Sequence, residues 1–285
     1  MIVGALGGIS AHKTIAGPEG WWDELAGVGK ALDPEQVQLV GIDWLEGAAS
    51  GAATEGAAGL DAGIATTFDQ ADHLARQLDA HGLDRLDLLF GSSFGGNVAL
   101  CFASRYPERV ARLVIIGAAH RSHPMATALR SLQRRVVLLG LETGRGSEAL
   151  EIARGIAMTT YRTAEEFAGR FGTRPDLTGD FPVEGYLRHQ GAQYARRNTP
   201  ERFLGLSLAL DLHDVDPGTI TTPALLVAFE GDAIAPPWQM AELRDQLAGP
   251  AELVVLESIY GHDAFLKESE AYSALLRTQL LETAR

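Results

Sequence analysis

A single cysteine, Cys101, stands among 285 residues, which excludes an internal disulfide and leaves no second thiol for a zinc knuckle or a CxxC redox pair. The longest apolar runs, such as 113–119 and 224–229, fall far short of the ~18 residues that a membrane span needs. Residues 1–10 carry no basic segment of the kind that opens a secretion signal. Basic residues are in deficit, 24 against 37 acidic, and a formal net charge of −13 repels phosphate backbones and anionic lipid surfaces. Nucleic acid and membranes are therefore excluded as partners, and the reading is a cytoplasmic protein. His120 and His123 lie three apart, but no HExxH motif or carboxylate cluster accompanies them, so no metal site is expected. The segment 47–63 holds five glycines and seven alanines, yet no Gly-Lys-Ser/Thr follows it as in a phosphate-binding loop. It reads as a flexible surface loop. Repeats of 20–50 residues are also absent, which excludes solenoids and propellers.

What is present is a foldable chain, 46 % hydrophobic and 21 % charged. Short apolar runs recur at 2–6, 37–44, 86–90, 110–117, 223–229 and 252–257. Most are apolar on consecutive residues, as strands buried on both faces of a parallel sheet are. Helical stretches alternate with them, the clearest being 67–81. There Thr67 is placed to cap, Ala71, Leu74 and Leu78 share one face, and Gly82 follows as a left-handed terminator. The class is α/β, a mostly parallel sheet with helices on both faces. About a hundred residues then separate the runs 110–117 and 223–229. Within them 125–139, 148–160, 164–171, 183–197 and 201–212 have helical spacing. The expected layout is a core of residues 1–120 and 218–285 with an inserted helical cap at 121–217, and so long a crossover is usually functional.

Gly91-Ser92-Ser93-Phe94-Gly95 fits the G-x-S-x-G nucleophile elbow, with an apolar run directly before it and a plausible helix, 96–106, directly after. A serine hydroxyl needs a base. His262 sits just past the last apolar run, where loops gather at the carboxyl ends of a parallel sheet. A carboxylate must in turn fix the imidazole, and Asp232 closes the run that starts at Pro223, with Glu230 as an alternative. The chain order Ser93, Asp232, His262 is that of α/β-hydrolases. In that fold the glycine-rich turn after the first strand, Gly7-Gly8-Ile9-Ser10, supplies half of the oxyanion hole, so the main-chain N–H groups of Ile9 and Phe94 are the candidate donors. Cys101 lies within the helix after the elbow and reads as core.

Taken together, these residues resemble the homoserine O-acyltransferase family of the α/β-hydrolase superfamily. The segment from Gly261-His262-Asp263 to Leu266 is similar to the family's catalytic-histidine signature, and Gly231-Asp232 followed by Pro236-Pro237 resembles its acid loop. In the cap, Ala153-Arg154 through Thr160-Tyr161-Arg162, the stretch 186–191 and the stretch 209–214 look like family motifs. The resemblance runs from about residue 21 to 266. It implies no bound cofactor, acyl-CoA as co-substrate, L-homoserine as acceptor in methionine biosynthesis, and a homodimer. It also implies that Arg154 and Tyr161 bind the amino-acid acceptor, Arg154 pairing with its carboxylate while Asp263 receives its ammonium. The two cap residues are seven apart, so a helix puts them on one face. Succinyl and acetyl donors both remain open. Arg121, Arg130 and Arg162 are the cations that a succinyl group would use. L-serine remains open as acceptor, and a serine esterase or thioesterase with the same triad is the alternative reading. Family members resemble one another in carrying strands ahead of the oxyanion turn, which here begins within ten residues of Met1, so the sheet is expected to lack its first edge.

Overall fold

The computed structural model describes residues 1–46, 63–177 and 179–283. The glycine- and alanine-rich stretch 47–62 lies outside the described residues. Among the described residues six strands form one sheet, β1 (Ile2–Leu6), β2 (Gln38–Val40), β3 (Leu88–Ser92), β4 (Leu113–Ile116), β5 (Ala224–Phe229) and β6 (Ala251–Leu256). All neighbours pair in parallel, in the order β2-β1-β3-β4-β5-β6. The chain runs outward from β1 to β2, then returns to place β3 on the other side of β1. This reversal opens a crevice at the carboxyl ends of β1 and β3, the position where open α/β sheets bind ligands.

Side chains of the central strands alternate between two apolar clusters. Leu89, Leu113, Ile115 and Leu226 point to one, and Leu88, Phe90, Val114, Ile116 and Val227 to the other. The first face is covered by α1 (Thr67–Ala80), α2 (Phe94–Arg105) and α8 (Pro237–Gln246), and the second by α10 (Ser269–Thr283), which follows the short α9 (Ala264–Lys267). Burial on both faces is why these runs are apolar without alternation. At the edge, β6 is only partly covered and Glu252 is exposed.

Differences from the sequence reading have local causes. The strand expected over 37–44 is only Gln38–Val40, because the chain turns at Gly41, where a Cβ would stand 2.5 Å from the Lys13 carbonyl oxygen. Helix α1 is capped by Thr66 in a capping box with Asp69, not by Thr67. Thr67 is drawn inward instead, where its hydroxyl meets His213 Nδ1 at 3.0 Å. Helices α8 and α10 were not anticipated.

Among the described residues five α-helices lie between β4 and β5: α3 (Pro124–Glu142), α4 (Gly146–Tyr161), α5 (Ala164–Arg170), α6 (Pro182–Ala195) and α7 (Pro200–Asp211). Val137, Leu150, Ala153, Tyr194 and Phe203 give them a small core of their own. Where the chain leaves the sheet and where it returns, the two stems pair. Arg121 and Asp214 form an antiparallel bridge, and the Val215 N–H donates to the His120 carbonyl at 2.9 Å. His213 ties this junction down, its Nε2–H donating to the Ala119 carbonyl at 3.1 Å. Burial lowers the His213 pKa to about 3, with the Ala119 bond opposing that shift, so the ring stays neutral and its Nδ1 accepts from Thr67. The Cys101 thiol, pushed up to about 12 chiefly by burial, packs against the same threonine at 3.4 Å.

Candidate active site

Strand β3 continues through Gly91 and Ser92 and turns sharply into α2 at Ser93. Ser93 has φ 52° and is the one non-glycine residue with positive φ among the described residues, a strained conformation of the kind found at functional turns. The flanking glycines are required by close approach. A Cβ on Gly91 would lie 2.5 Å from the Gly95 carbonyl oxygen, and one on Gly95 would lie 2.2 Å from the Leu6 carbonyl oxygen. Backbone therefore packs on backbone, and the Ser93 hydroxyl is left half-buried at the amino end of α2.

The Ser93 hydroxyl donates to His262 Nε2 at 2.8 Å, and His262 Nδ1–H donates to Asp232 Oδ2, also at 2.8 Å. The other Asp232 oxygen accepts from the main-chain N–H groups of Ile234 and Ala235 at 2.7 and 3.0 Å. Burial alone would lower the His262 pKa, but the Asp232 charge and hydrogen bond outweigh it and hold the ring above its ordinary value. Glu230, two residues from Asp232, is exposed and takes no part in the contact.

Loops around these three residues are pinned by tryptophans. Trp44 Nε1–H donates to the Gly8 carbonyl and Trp22 Nε1–H to the Phe265 carbonyl, each at 3.1 Å. The Gly95 N–H donates to the Gly7 carbonyl at 2.9 Å, locking the turn after β1 against α2. Among the described residues the N–H groups of Ile9 and Phe94 meet no protein acceptor.

Two cavities meet at Ser93 and His262. The first, about 60 Å³, runs beneath α3 and α7 past Arg130 and Gln133. The second, about 120 Å³, is lined by Trp21, Arg154, Tyr161 and Asp263, and it shares Trp21 and Arg154 with an open groove of about 760 Å³. Arg154 lies 5.3 Å from the Tyr161 ring and 4.9 Å from the Tyr194 ring, and among the described residues it has no carboxylate partner. Asp263 is buried and already engaged through one oxygen, since Arg162 Nε–H donates to Oδ2 at 2.8 Å. Arg162 also pairs with Glu166 at 3.3 Å. Arg121 is held by Glu242 at 2.7 Å. Sequence reasoning missed Tyr194 as the second ring on Arg154, Arg162 as the partner of Asp263, and Gln133 altogether. These contacts are long-range, and none leaves a local signal. Among the described residues no group of three or more His, Cys, Asp or Glu side chains is placed to hold a metal ion, and no helix is long and apolar enough to cross a membrane.

Residues 3–269 match the alpha/beta hydrolase fold family. The homoserine O-succinyltransferase of Xanthomonas campestris pv. campestris is 43 % identical over 290 residues, which cover 99 % of this chain and 76 % of that protein. The chain belongs to the homoserine O-acyltransferase family. The homoserine O-acetyltransferase of Thermus thermophilus is 36 % identical over 289 residues, covering 94 % of this chain and 74 % of the relative. In fold, the homoserine O-acetyltransferase from Bacillus anthracis superposes with TM-score 0.81 at 17 % identity over 98 % of this chain and 87 % of its own. Esterase E22 superposes with TM-score 0.82 at 19 % identity, over 98 % and 89 %. Family membership makes the chain an acyltransferase on the α/β-hydrolase fold.

Proposed function

We propose that this enzyme moves an acyl group from acyl-CoA to the γ-hydroxyl of L-homoserine through a Ser93 acyl-enzyme, a step of methionine biosynthesis in the cytoplasm. The observation that carries the reading is a Ser93–His262–Asp232 chain with Arg154, which has no carboxylate partner among the described residues, and the carboxylate of Asp263 on the walls of one adjoining cavity. His262 Nε2 takes the Ser93 proton as Oγ attacks the thioester carbon. The oxyanion is held by the Ile9 and Phe94 N–H groups, and His262 returns the proton to the departing CoA thiolate. The homoserine hydroxyl then gives its proton to His262 and attacks the acyl ester, which restores Ser93. Arg154 pairs with the acceptor's carboxylate, Tyr161 flanks it, and the free oxygen of Asp263 takes its ammonium. Residues 121–217 act as a cap over the core of 1–120 and 218–285, excluding water so that transfer outruns hydrolysis. The chain works as a homodimer, as the resemblance implies.

The test is CoA release from acetyl-CoA and succinyl-CoA with no acceptor, with L-homoserine and with L-serine. Release that depends on homoserine supports the reading. Release that needs no acceptor replaces it with an esterase or thioesterase, and release that favours serine changes the acceptor. Arg154→Met is expected to raise KM for homoserine by about 10- to 100-fold while leaving KM for the donor within about threefold, in line with a lost charge-assisted bond of ~1.5–3 kcal/mol.

The upward shift of His262 sets the pH profile. Its neutral form must accept the proton, so kcat/KM falls as the ring is protonated on acidification. The half-maximal point on the acid side is expected above the ordinary histidine value of 6.5. Asp232→Asn removes the charge that raises the shift, so the half-maximal point should move to lower pH. A wild-type midpoint at or below 6.5 would contradict the upward shift that Asp232 gives the ring.

A further inference from the structure

The first cavity beside Ser93 has a charged wall that acyl transfer alone leaves unexplained. Arg130, on α3, is 9 % exposed and lines this cavity together with Ser93 and His262. Its Nε–H donates to Asp211 Oδ1 at 2.7 Å, and Arg134 pairs with the other oxygen of Asp211 at 2.6 Å. Two guanidinium groups thus share one carboxylate. Among the described residues no other acid lies within ion-pair distance of either arginine, which leaves this cluster of a buried Arg130 and a half-buried Arg134 one positive charge in excess. Arg130 Nη2 donates to the Ser122 hydroxyl, and among the described residues its Nη1 meets no acceptor.

Gln133 is three residues along α3, on the same face. It is 4 % exposed and lines the same cavity, and its amide meets no hydrogen-bond partner among the described residues. A cation in excess and an amide without a protein partner, both lining one cavity beside Ser93, are groups that a ligand can complete. An apolar acyl group would leave both as they are, whereas a carboxylate satisfies the two at once.

Resting on the acyl-transfer reading above, we propose that this cavity is the acyl pocket and that it selects an acyl chain ending in a carboxylate. Arg130 Nη1 and the Gln133 amide donate to that carboxylate. The donor class is then a short dicarboxylic acyl-CoA, with succinyl-CoA the probe. Arg121 and Arg162 are excluded from the role because Glu242 and the Asp263–Glu166 pair already neutralise them.

The experiment compares kcat/KM for succinyl-CoA and butyryl-CoA, which share a four-carbon chain and differ in the terminal carboxylate, with acetyl-CoA as a third donor and L-homoserine as acceptor. Wild-type enzyme is expected to prefer succinyl over butyryl by at least about 100-fold, since a site built around polar partners rejects an analogue that leaves them unpaired. Arg130→Met should lower the succinyl-to-butyryl ratio by about 100-fold and Gln133→Leu by about tenfold. Gln133→Leu breaks no ion pair, so it carries the same ratio should Arg130→Met fail to fold. A wild-type ratio near one, a preference for acetyl-CoA, or a ratio unchanged in the folded variants would overturn the inference and leave acyl transfer standing. No transfer to homoserine from any of the three donors would overturn the acyl-transfer reading itself.

Discussion

Replacing Ser93 with alanine is expected to remove about 10⁶-fold of turnover while leaving the protein folded. The magnitude follows from a nucleophile that acts as a unit with its base, because losing either member costs nearly as much as losing the whole set. Folding should survive because the hydroxyl makes one described contact, to His262 Nε2. The main-chain bonds at the elbow, from the Ser93 N–H to the Ile116 carbonyl at 2.9 Å and from the Gly96 N–H to the Ser93 carbonyl at 2.9 Å, do not involve the side chain. Alanine tolerates φ 52° no better and no worse than serine, so the strain is unchanged. The checks are steady-state CoA release, the burst of CoA on first exposure to donor, and the urea midpoint. A variant that still turns over at the wild-type rate would sink the acyl-enzyme mechanism.

Gly95→Ala is expected to damage both stability and rate. The added methyl would sit 2.2 Å from the Leu6 carbonyl oxygen, 2.4 Å from its carbon and 2.6 Å from the Gly7 carbonyl oxygen. All three are backbone atoms of β1 and the turn after it, so relief requires α2 and the sheet to separate. Overpacking of this kind typically costs ~1–3 kcal/mol. The same separation would pull the Phe94 N–H away from the Ile9 N–H, and losing one such donor costs ~10²–10³ in kcat. Gly8→Ala is the control. Its methyl would meet Phe265 Cζ at 3.6 Å and Ser93 Cβ at 3.9 Å, which are ordinary contacts, so its urea midpoint should stay close to wild type. Equal stability and rate for Gly95→Ala and wild type would contradict the packing described at the elbow.

The three residues that the structure joins in one hydrogen-bonded chain were legible because each stands in a local signature. Ser93 stands in a glycine-bracketed turn, Asp232 follows a glycine after an apolar run, and His262 follows another glycine past the last one. The spacing of Arg154 and Tyr161 likewise agrees with their shared exposure to the second cavity from α4. Partnerships across the chain were not legible. Arg162 reaches Asp263 across 101 positions and Arg130 reaches Asp211 across 81, and a helical period carries no information at that range. Thr66 and Thr67 offer the same hydroxyl to the start of α1, and only the tertiary claim of His213 on Thr67 decides between them. The short β2 has the same origin, since the turn at Gly41 is imposed by a neighbour 28 positions earlier.

The clasp at Ala119, Arg121, His213 and Asp214 bears on how this protein can change. Because the two stems meet, the helices between them form a closed excursion whose ends are already adjacent, and side-chain ties such as Arg162 to Asp263 and Arg202 to Glu46 add to that junction. The entropic cost of closing such a loop grows only with the logarithm of its length, so a longer or shorter excursion costs the sheet little in closure, and what a replacement must restore is the packing of Leu206 and Ala209 on the core. Ser93, Asp232 and His262 lie outside the excursion, while Arg130, Gln133, Arg154 and Tyr161 lie inside it. On the roles proposed above, most of the residues that would choose the substrate sit in one part and those that would make the bond in the other, with Asp263 bridging the two through Arg162.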